Sequence, residues 1–223
     1  MISENRLKEL LTKKNNETPI LVVGDIGLDK YTFGEVNRIS PEAPVPILEV
    51  SKEWHKLGLA ANVADNLVSL GKSSTICGVI GNDYRASILE HLLEDRSLST
   101  WGLIRSADRP TIFKERVVTS TQQICRIDYE SKDDIPDEIS KRFIGRFEEF
   151  ASVHSSVIIE DYGKGLINRP IVESLIELFH AHKKIVGVDP SRTTDPLIYK
   201  GVDFLKPNRQ EAKMMLDMLG GGI

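Results

Sequence analysis

Short apolar runs alternate with helical patterns along most of the chain, which is the pattern of a parallel α/β sheet. The runs are nearly continuous in Val, Ile and Leu, as expected for strands that are buried on both faces. The predicted strands cover residues 20–23, 74–80, 157–160, 185–188 and 202–205. The predicted helices cover residues 62–70, 84–93, 136–153, 170–182 and 209–219. We therefore predict an α/β fold with a mainly parallel sheet that is flanked by helices.

Two further β-rich segments fall outside this alternation. Residues 31–36 and 45–50 predict a pair of strands, and residues 111–127 predict a hairpin. We expect the segments at about 31–57 and 111–128 to fold together into a small sheet that acts as a lid over the main one.

The run from Arg38 to Pro46 joins the first two of these lid strands. It contains Pro41, Pro44 and Pro46, and prolines at this density exclude a helix interior or a central strand. A stiff segment that carries Arg38 and Glu42 between apolar elements indicates a wall or lid over a pocket.

The N-terminal segment has a different pattern. Leu7, Leu10 and Leu11 follow Ser3 at helical spacing, which predicts an amphipathic helix. We expect residues 1–18 to form this helix and residues 19–223 to form one domain, since a chain of 223 residues buries a substantial core.

Composition excludes several classes of function. The net charge is −4 and no basic block stands out, so a nucleic-acid partner is not expected. Cys77 and Cys125 are far apart and have no zinc-ligand spacing, so we expect reduced thiols. No apolar run approaches the ~20 residues that span a bilayer. The N-terminal segment lacks the apolar core of a secretory signal. We expect a cytoplasmic protein with no membrane partner.

Polar side chains follow the predicted strands, where ligands bind in open α/β sheets. They are Asp25, Asp29, Asp161, Asp189 and Asn208. We predict that they converge on one crevice, with the carboxylates available to sugar hydroxyls. A loop or helix cap is the structural alternative for each Asp.

Three other groups could contribute to this crevice. Gly58 opens the run Gly58-Leu59-Ala60-Ala61-Asn62, where a glycine allows a close approach and the Asn62 amide both donates and accepts. Lys114 and Arg116 share one strand face and could grip a sugar phosphate, although charges also protect an edge strand from aggregation. Lys164, in Asp161-Tyr162-Gly163-Lys164-Gly165, could touch a phosphate or lie in a plain glycine turn.

Lys206-Pro207-Asn208-Arg209-Gln210-Glu211 opens the last predicted helix. Asn208 and Glu211 have the spacing of a capping box. The same spacing places both groups on one side of the helix start, where Glu211 could order magnesium-bound water. Both interpretations can hold together.

The order of these pieces resembles the ribokinase-like (PfkB-type) carbohydrate kinases, and within them most resembles the heptose 7-phosphate kinases of lipopolysaccharide-core synthesis. The resemblance runs from about residue 19 to the end. Gly58 to Asn62 is similar to the family's Gly-Gly-Ala-Ala-Asn, with Leu59 in place of the second glycine, and Asn208 with Glu211 is similar to its Asn-x-x-Glu.

The resemblance implies transfer of the ATP γ-phosphoryl group to the anomeric hydroxyl of a heptose 7-phosphate, with ATP and Mg²⁺ as cofactors. It also implies a homodimer formed through the lid strands. The implied substrate-binding residues are Asp29, Arg38, Gly58, Asn62, Lys114, Arg116, Arg126, Asp161 and Lys164. The implied cofactor-binding residues are Asp189, Lys206, Asn208 and Glu211, with Glu211 holding the metal through water.

The family carries its catalytic base and anion hole in a Gly-Ala-Gly-Asp segment, and no Gly-x-Gly-Asp occurs in this sequence. We therefore expect the C-terminal part of the fold to be missing, the catalytic residue to be unassigned and the chain alone to have little kinase activity. Two alternatives stay open. One is a kinase of the same family for fructose, ribose or a nucleoside, and the other is a non-catalytic sugar-phosphate-binding or oligomerisation module.

Overall fold

The computed structural model describes residues 3–6, 8 and 18–221. Residues 4–6 and 8 are helical. The leucines of the predicted N-terminal helix, Leu7, Leu10 and Leu11, lie outside the described residues.

Strands and helices alternate along the described chain as the apolar pattern predicts. The strands are β1 (Ile20–Gly24), β2 (Ile26–Ile39), β3 (Pro46–Leu59), β4 (Ser74–Gly81), β5 (Ser99–Ser106), β6 (Ile112–Val118), β7 (Gln123–Tyr129), β8 (Ser156–Glu160), β9 (Ile185–Asp189) and β10 (Phe204–Leu205). The helices are α1 (Ala60–Ser69), α2 (Tyr84–Asp95), α3 (Asp137–Ile144), α4 (Phe147–Val153), α5 (Arg169–Ala181) and α6 (Arg209–Met218), with a 3₁₀ turn at Pro196–Tyr199.

The main sheet has six strands in the order β10-β9-β8-β1-β4-β5, and every pairing in it is parallel. The predicted mainly parallel α/β sheet is therefore confirmed. β5 was not predicted, because its apolar residues are interrupted by polar ones and by Gly102. The glycine is needed there, since a Cβ would lie 2.4 Å from the Ile76 carbonyl oxygen of β4.

The core lies on both faces of this sheet. Leu21 and Val23 pack with α3, α4 and α5 on one face, whereas Val22 packs with α1 and α2 on the other. All three are fully buried, which explains the unbroken apolar run of β1. The single predicted helix at 136–153 is divided into α3 and α4, since the chain turns at Gly145 and Arg146.

The second sheet has four strands in the order β3-β2-β6-β7. β2 pairs antiparallel with β3 and parallel with β6, and β6 pairs antiparallel with β7. β2 and β3 have 14 residues each, longer than predicted, and they form one hairpin whose base is the Ile26–Leu59 pair. The two β-rich segments thus lie outside the main sheet, next to the carboxyl end of β1.

The proline run occupies the far end of this hairpin. Pro41 and Pro44 lie in the exposed bend, and Pro46 begins β3 opposite Ile39. At ~3.3 Å per residue, the thirteen steps from Ile26 to Ile39 place the bend about 40 Å from the hairpin base. The expectation that the run roofs the crevice is therefore wrong for a single chain, because the strands that carry it are so long.

Candidate functional site

Two buried carboxylates hold the loop that follows β8. Asp25 Oδ2 accepts hydrogen bonds from the Tyr162 N–H at 3.0 Å and the Lys164 N–H at 3.2 Å. Asp161 accepts from the Gly163 N–H at 2.7 Å. Burial, and then the neighbouring Asp161, raise the pKa of Asp25 to about 6. Asp25 therefore orients the loop by accepting its amides.

Asp161 itself is fully engaged inside the protein. Its Oδ2 accepts from the Thr194 hydroxyl at 2.7 Å and the Tyr199 hydroxyl at 2.6 Å. Burial raises the pKa of Asp161, and the hydrogen bond from Tyr199 is the largest opposing effect. Asp161 thus ties the loop after β8 to the 3₁₀ turn.

A cavity of about 450 Å³ lies beyond the carboxyl ends of β8, β9 and β10. We call it the Asp189 cavity, and its lining is Glu160, Asp161, Tyr162, Asp189, Pro190, Ser191, Arg192, Thr193, Lys206, Asn208 and Glu211. All four residues predicted to bind the cofactor are therefore in one place, together with Asp161. Within the cavity Lys206 pairs with Asp189 at 2.7 Å, and Arg192 pairs with Glu211 at 3.6 Å.

Glu160 is a member of this cavity that the sequence analysis treated only as the end of a strand. It lies opposite Asp189 in the β8–β9 register. Burial, and then the charge of Asp189, raise the pKa of Glu160 to about 7, while Lys206 opposes the rise. A carboxylate as the last residue of a buried strand was the signal that could have identified it. Arg192 was missed because it lies in an irregular loop.

Asn208 and Glu211 form the predicted capping box. The Asn208 side-chain oxygen accepts from the Gln210 and Glu211 N–H groups at 2.9 and 3.0 Å, and Glu211 accepts from the Asn208 N–H at 2.7 Å. The Asn208 amide also donates to the second Glu211 oxygen. The capping interpretation is therefore confirmed, and the proposed contact with magnesium-bound water stays a prediction.

Asp29 lies on β2 rather than in the loop after β1, and it faces the second sheet's own cations. Arg116 Nη1 is buried and pairs with Asp29 Oδ1 at 2.8 Å. A Cβ on Gly58 would lie 3.2 Å from the Asp29 carboxyl carbon. Asp29, Gly58 and Arg116 are therefore brought together as predicted.

The other predicted cations are neutralised by acids of the same region. Lys114 pairs with Glu130 at 2.9 Å and Asp128 at 3.3 Å, and Lys164 pairs with Glu130 at 2.6 Å. Arg126 pairs with Asp128 at 2.8 Å. Glu130, which the sequence analysis missed, thus joins β6 to the loop after β8.

Two predicted substrate residues lie elsewhere. Arg38 pairs with Glu49 at 3.7 Å near the exposed end of the β2–β3 hairpin, about 30 Å along the strand from Asp29 at ~3.3 Å per residue. Asn62 is exposed and lines a cavity of about 200 Å³ with His55, Lys56, Leu57, Asp65, Leu92 and Arg96. The structure therefore does not place either side chain in the Asp189 cavity, and their contacts with substrate stay predictions.

Leu59 precedes α1 with a backbone φ of 56°. A positive φ of this size favours glycine, which gives a physical reason for the glycine that the family pattern has at this position. The Leu59 side chain occupies the space beside Gly27, where an added Cβ would lie 2.9 Å from Leu59 Cδ1.

The family model for pfkB family carbohydrate kinases matches residues 25–221. The chain belongs to this family. The match includes the second sheet, the main sheet except β1, and the whole Asp189 cavity, so the family assignment covers every site residue discussed above. The predicted resemblance to PfkB-type carbohydrate kinases is confirmed.

Curated pfkB relatives share substantial identity with the chain. The bifunctional protein HldE of Aliarcobacter butzleri is 42% identical over 204 residues, which cover 92% of this chain and 42% of that protein. The bifunctional protein HldE of Helicobacter pylori strain P12 is 39% identical over 199 residues, covering 89% of this chain and 43% of that protein. The chain thus spans less than half the length of these relatives.

Solved structures show the same fold. Phosphofructokinase-2 from Escherichia coli, in its tetrameric inhibited form, has a TM-score of 0.67 and 17% identity over 90% of this chain and 64% of that one. Arabidopsis thaliana ribokinase complexed with ribose and ATP has a TM-score of 0.64 and 18% identity over 90% and 63%. The ribokinase-like fold is therefore confirmed, including the helices on both sides of its parallel sheet.

The donor groups of the Asp189 cavity suit a hydrated cation better than a directly bound one. Within residues 3–6, 8 and 18–221, no group of three His, Cys, Asp or Glu side chains has metal-ligand geometry. Both Glu211 oxygens already accept hydrogen bonds, which leaves contact through water as the role that fits this residue.

Across residues 3–6, 8 and 18–221, no helix combines the length and the apolar character that a membrane crossing needs.

Proposed function

We propose that this chain is the sugar-binding part, and part of the nucleotide-binding part, of an ATP-dependent kinase for a heptose 7-phosphate. One observation carries the proposal: the same cavity is lined by Asp189, Lys206, Asn208 and Glu211. This cavity lies beyond the carboxyl ends of the strands, where open α/β sheets bind ligands. The sugar class of the proposed acceptor comes from the resemblance to the heptose 7-phosphate kinases, and the identity shared with the HldE proteins supports it.

The charges of the cavity support ATP together with Mg²⁺. Four carboxylates line it, those of Glu160, Asp161, Asp189 and Glu211, against the two cations Arg192 and Lys206. Free polyphosphate would be repelled by this excess of acid. A divalent cation that keeps its water shell removes the repulsion, because it neutralises phosphate and is held by carboxylates through water.

Lys206 is the cation best placed to reach a phosphate. Its ammonium group pairs with Asp189 but its side chain is 75% exposed, so it can turn toward a ligand at little cost. Glu211 would orient magnesium-bound water from the first turn of α6. The chemistry that Mg²⁺ supplies when bound is neutralisation of the phosphate charge during transfer.

At the other end of the site, Asp29 would accept a hydrogen bond from a sugar hydroxyl, and Arg116, paired with Asp29 at 2.8 Å, would orient its carboxylate. Gly58 leaves room for the sugar beside Asp29. The proposed transfer is in line, from the ATP γ-phosphoryl group to the anomeric hydroxyl. Its base is not assigned to a residue of this chain, which has no Gly-x-Gly-Asp.

Thermal-shift titration and an ADP-release assay test the proposal together. We expect D-glycero-D-manno-heptose 7-phosphate and Mg-ATP each to raise the unfolding temperature of the chain, with little or no turnover. Ribose, fructose and adenosine serve as competing acceptors. Stabilisation by one of these and not by the heptose phosphate would assign the chain to the other-acceptor alternative.

A non-catalytic sugar-phosphate-binding module is the second candidate, and the missing Gly-x-Gly-Asp favours it. Stabilisation by the heptose phosphate but not by Mg-ATP would support this candidate against the kinase. Turnover at the rate of a full-length HldE protein would show that a base lies within these residues, and Asp161 and Asp189 would then be the residues to substitute.

Assembly and location belong to the same proposal. The outer strands of the second sheet, β3 and β7, leave backbone groups free for pairing with another chain, and we propose a homodimer formed there. A sedimentation measurement that finds only monomer at micromolar concentration would overturn the proposed dimer.

We also propose that the protein is a cytoplasmic enzyme that acts on small sugar phosphates. We propose no nucleic-acid or membrane partner for it.

A further inference from the structure

Two aromatic side chains of the second sheet form a stacked pair beside Asp29. Tyr31 of β2 lies opposite Trp54 of β3, and their ring centroids are 5.1 Å apart with the planes 4° from parallel. Asp29 precedes Tyr31 by two residues, so both side chains project from the same face of β2. The pair therefore extends the face of the sheet that carries the proposed sugar site.

Two cations flank the Tyr31 ring. Lys56 Nζ lies 5.7 Å from the ring centroid, and Arg116 Cζ lies 5.3 Å from it. Lys56 is directly opposite Asp29 in the β2–β3 register. The contact with the ring holds Lys56 near Asp29 without neutralising its charge, because a cation–π contact supplies no opposite formal charge. Arg116 is held there by its ion pair with Asp29 as well.

The pairing of charges separates Lys56 from Lys114 and Arg116 on the same face of the sheet. Lys114 is enclosed between Asp128 and Glu130 and only 12% exposed. Lys56 is exposed, and among the described residues no carboxylate lies within ion-pair distance of it. Arg116 faces one carboxylate, that of Asp29 at 2.8 Å. A new anion can therefore be bound by the unpaired Lys56 beside a guanidinium that has one competing carboxylate, whereas it meets two at Lys114.

We propose that Lys56 and Arg116, positioned by Tyr31, form the subsite that binds the phosphate group of the sugar substrate. This inference rests on the proposed function and makes it more specific, since it names the residues that would select a phosphorylated sugar over a neutral one. Arg116 supplies the planar fork and Lys56 the point charge that phosphate binding uses. Tyr31 is a positioning residue.

The proposed phosphate subsite adjoins Asp29, because Lys56 lies opposite Asp29 in the β2–β3 register and Arg116 pairs with it at 2.8 Å. A single phosphorylated sugar can therefore contact Asp29 through a hydroxyl and Lys56 through its phosphate. The proposal thus predicts that affinity for a phosphorylated sugar depends on Lys56, whereas affinity for its neutral counterpart does not.

The test is isothermal titration of the full chain with D-glycero-D-manno-heptose 7-phosphate and with unphosphorylated D-glycero-D-manno-heptose. We expect Lys56→Met to weaken binding of the phosphorylated sugar about tenfold, the effect of losing one charge-assisted contact. Binding of the neutral sugar is unchanged. The matched control is Lys52→Met, since Lys52 Nζ stands 5.3 Å from the Trp54 ring centroid in the same kind of contact. We expect that control to bind both sugars as the wild type does.

A second measurement protects the result against a folding defect. Binding of the phosphorylated sugar by the wild type weakens as salt rises, because the contact is between exposed charges, and Lys56→Met reduces this salt dependence. A lysine that matters only for structure would leave the slope unchanged.

The outcomes separate the two proposals. Equal affinity of wild type and Lys56→Met for the phosphorylated sugar, with Asp29→Asn abolishing binding, overturns the Lys56 subsite and leaves the proposed function standing. No binding of either sugar by the wild type overturns the proposed function and this inference with it.

Discussion

Glu160 and Asp189 lie opposite each other at the carboxyl ends of the neighbouring parallel strands β8 and β9, and Lys206 neutralises only Asp189 directly. Burial and the Asp189 charge raise the pKa of Glu160 to about 7. The cavity therefore changes its charge near neutral pH. This relationship gives the site a pH dependence that can be measured without turnover.

Glu160→Gln should flatten the pH dependence of stability. The pKa of Glu160 in the folded protein, about 7, lies above the ordinary value of 4.5. The folded state thus binds more protons than the unfolded state between these values, so the free energy of unfolding falls as pH rises through 7. Between about pH 5 and about pH 8 the loss from this group is on the order of 2 kcal/mol. Urea unfolding at both pH values measures it.

Asp25, whose pKa is about 6, contributes a loss of the same sign, so the Glu160→Gln variant keeps some slope. Glu177→Gln, at an exposed position of α5, is the control and should behave as the wild type does. A slope in Glu160→Gln equal to that of the wild type would show that Glu160 is already ionised at about pH 5.

Gly58→Ala should weaken sugar binding more than it weakens the fold. The new methyl would lie 3.2 Å from the Asp29 carboxyl carbon and 3.3 Å from its Oδ2, so the carboxylate must move by a few tenths of an ångström. This shift disturbs the Asp29–Arg116 pair, and we expect about tenfold weaker binding of heptose 7-phosphate, the effect of one lost charge-assisted hydrogen bond. Calorimetric titration measures the affinity and thermal unfolding checks the fold. Unchanged affinity would remove Asp29 from the sugar site.

The main sheet could be predicted from sequence because its strands are buried on both faces. Val22 and Val23 need apolar neighbours on opposite sides of β1, and that requirement leaves an unbroken apolar run in the sequence. β5 is an edge strand with alternating exposure, so it carries no comparable pattern and was missed.

The site was only partly predictable, for a related reason. Asp189 and Asn208 follow strands of one parallel sheet, and chain topology alone brings such positions together. The neutralisation of Lys164 by Glu130, in contrast, depends on the approach of two loops. The length of the β2–β3 hairpin, which takes Arg38 away from Asp29, depends on strand pairing that local propensity does not specify.

Arg85 should hold the second sheet against α2. Its guanidinium carbon lies 4.0 Å from the Tyr129 ring centroid and 4.7 Å from that of Phe113, which joins the start of α2 to β6 and β7. Arg85→Met keeps the apolar stem and removes the charge. We expect a loss of about 1 kcal/mol and faster hydrogen exchange of the β6 and β7 amides, measured by mass spectrometry.

The control for this change lies at the other end of the same helix. Arg96, at the C-terminal cap of α2, is 57% exposed and pairs with Asp65 at 3.4 Å. Arg96→Met should leave the exchange of the second sheet unchanged. Equal exchange in Arg85→Met and wild type would mean that the strand pairing, and not the aromatic contact, fixes the position of the second sheet.

Glu211 has two proposed roles, and two substitutions separate them. Glutamine also completes a capping box, so Glu211→Gln should keep the hydrogen bond from the Asn208 N–H and the stability of α6. It removes the charge that would order magnesium-bound water. We therefore expect near wild-type unfolding together with about tenfold weaker binding of Mg-ATP, the effect of removing one charged contact.

Glu211→Ala removes both the charge and the cap. We expect it to lose about 1 kcal/mol of stability, as other lost caps do, in addition to the weaker binding of Mg-ATP. Titrations of ATP with and without Mg²⁺ complete the comparison, since only the Mg²⁺-dependent part should respond to Glu211→Gln. If Glu211→Gln binds Mg-ATP as tightly as the wild type, Glu211 serves the helix start alone, and the metal must be held by the acids at the ends of β8 and β9.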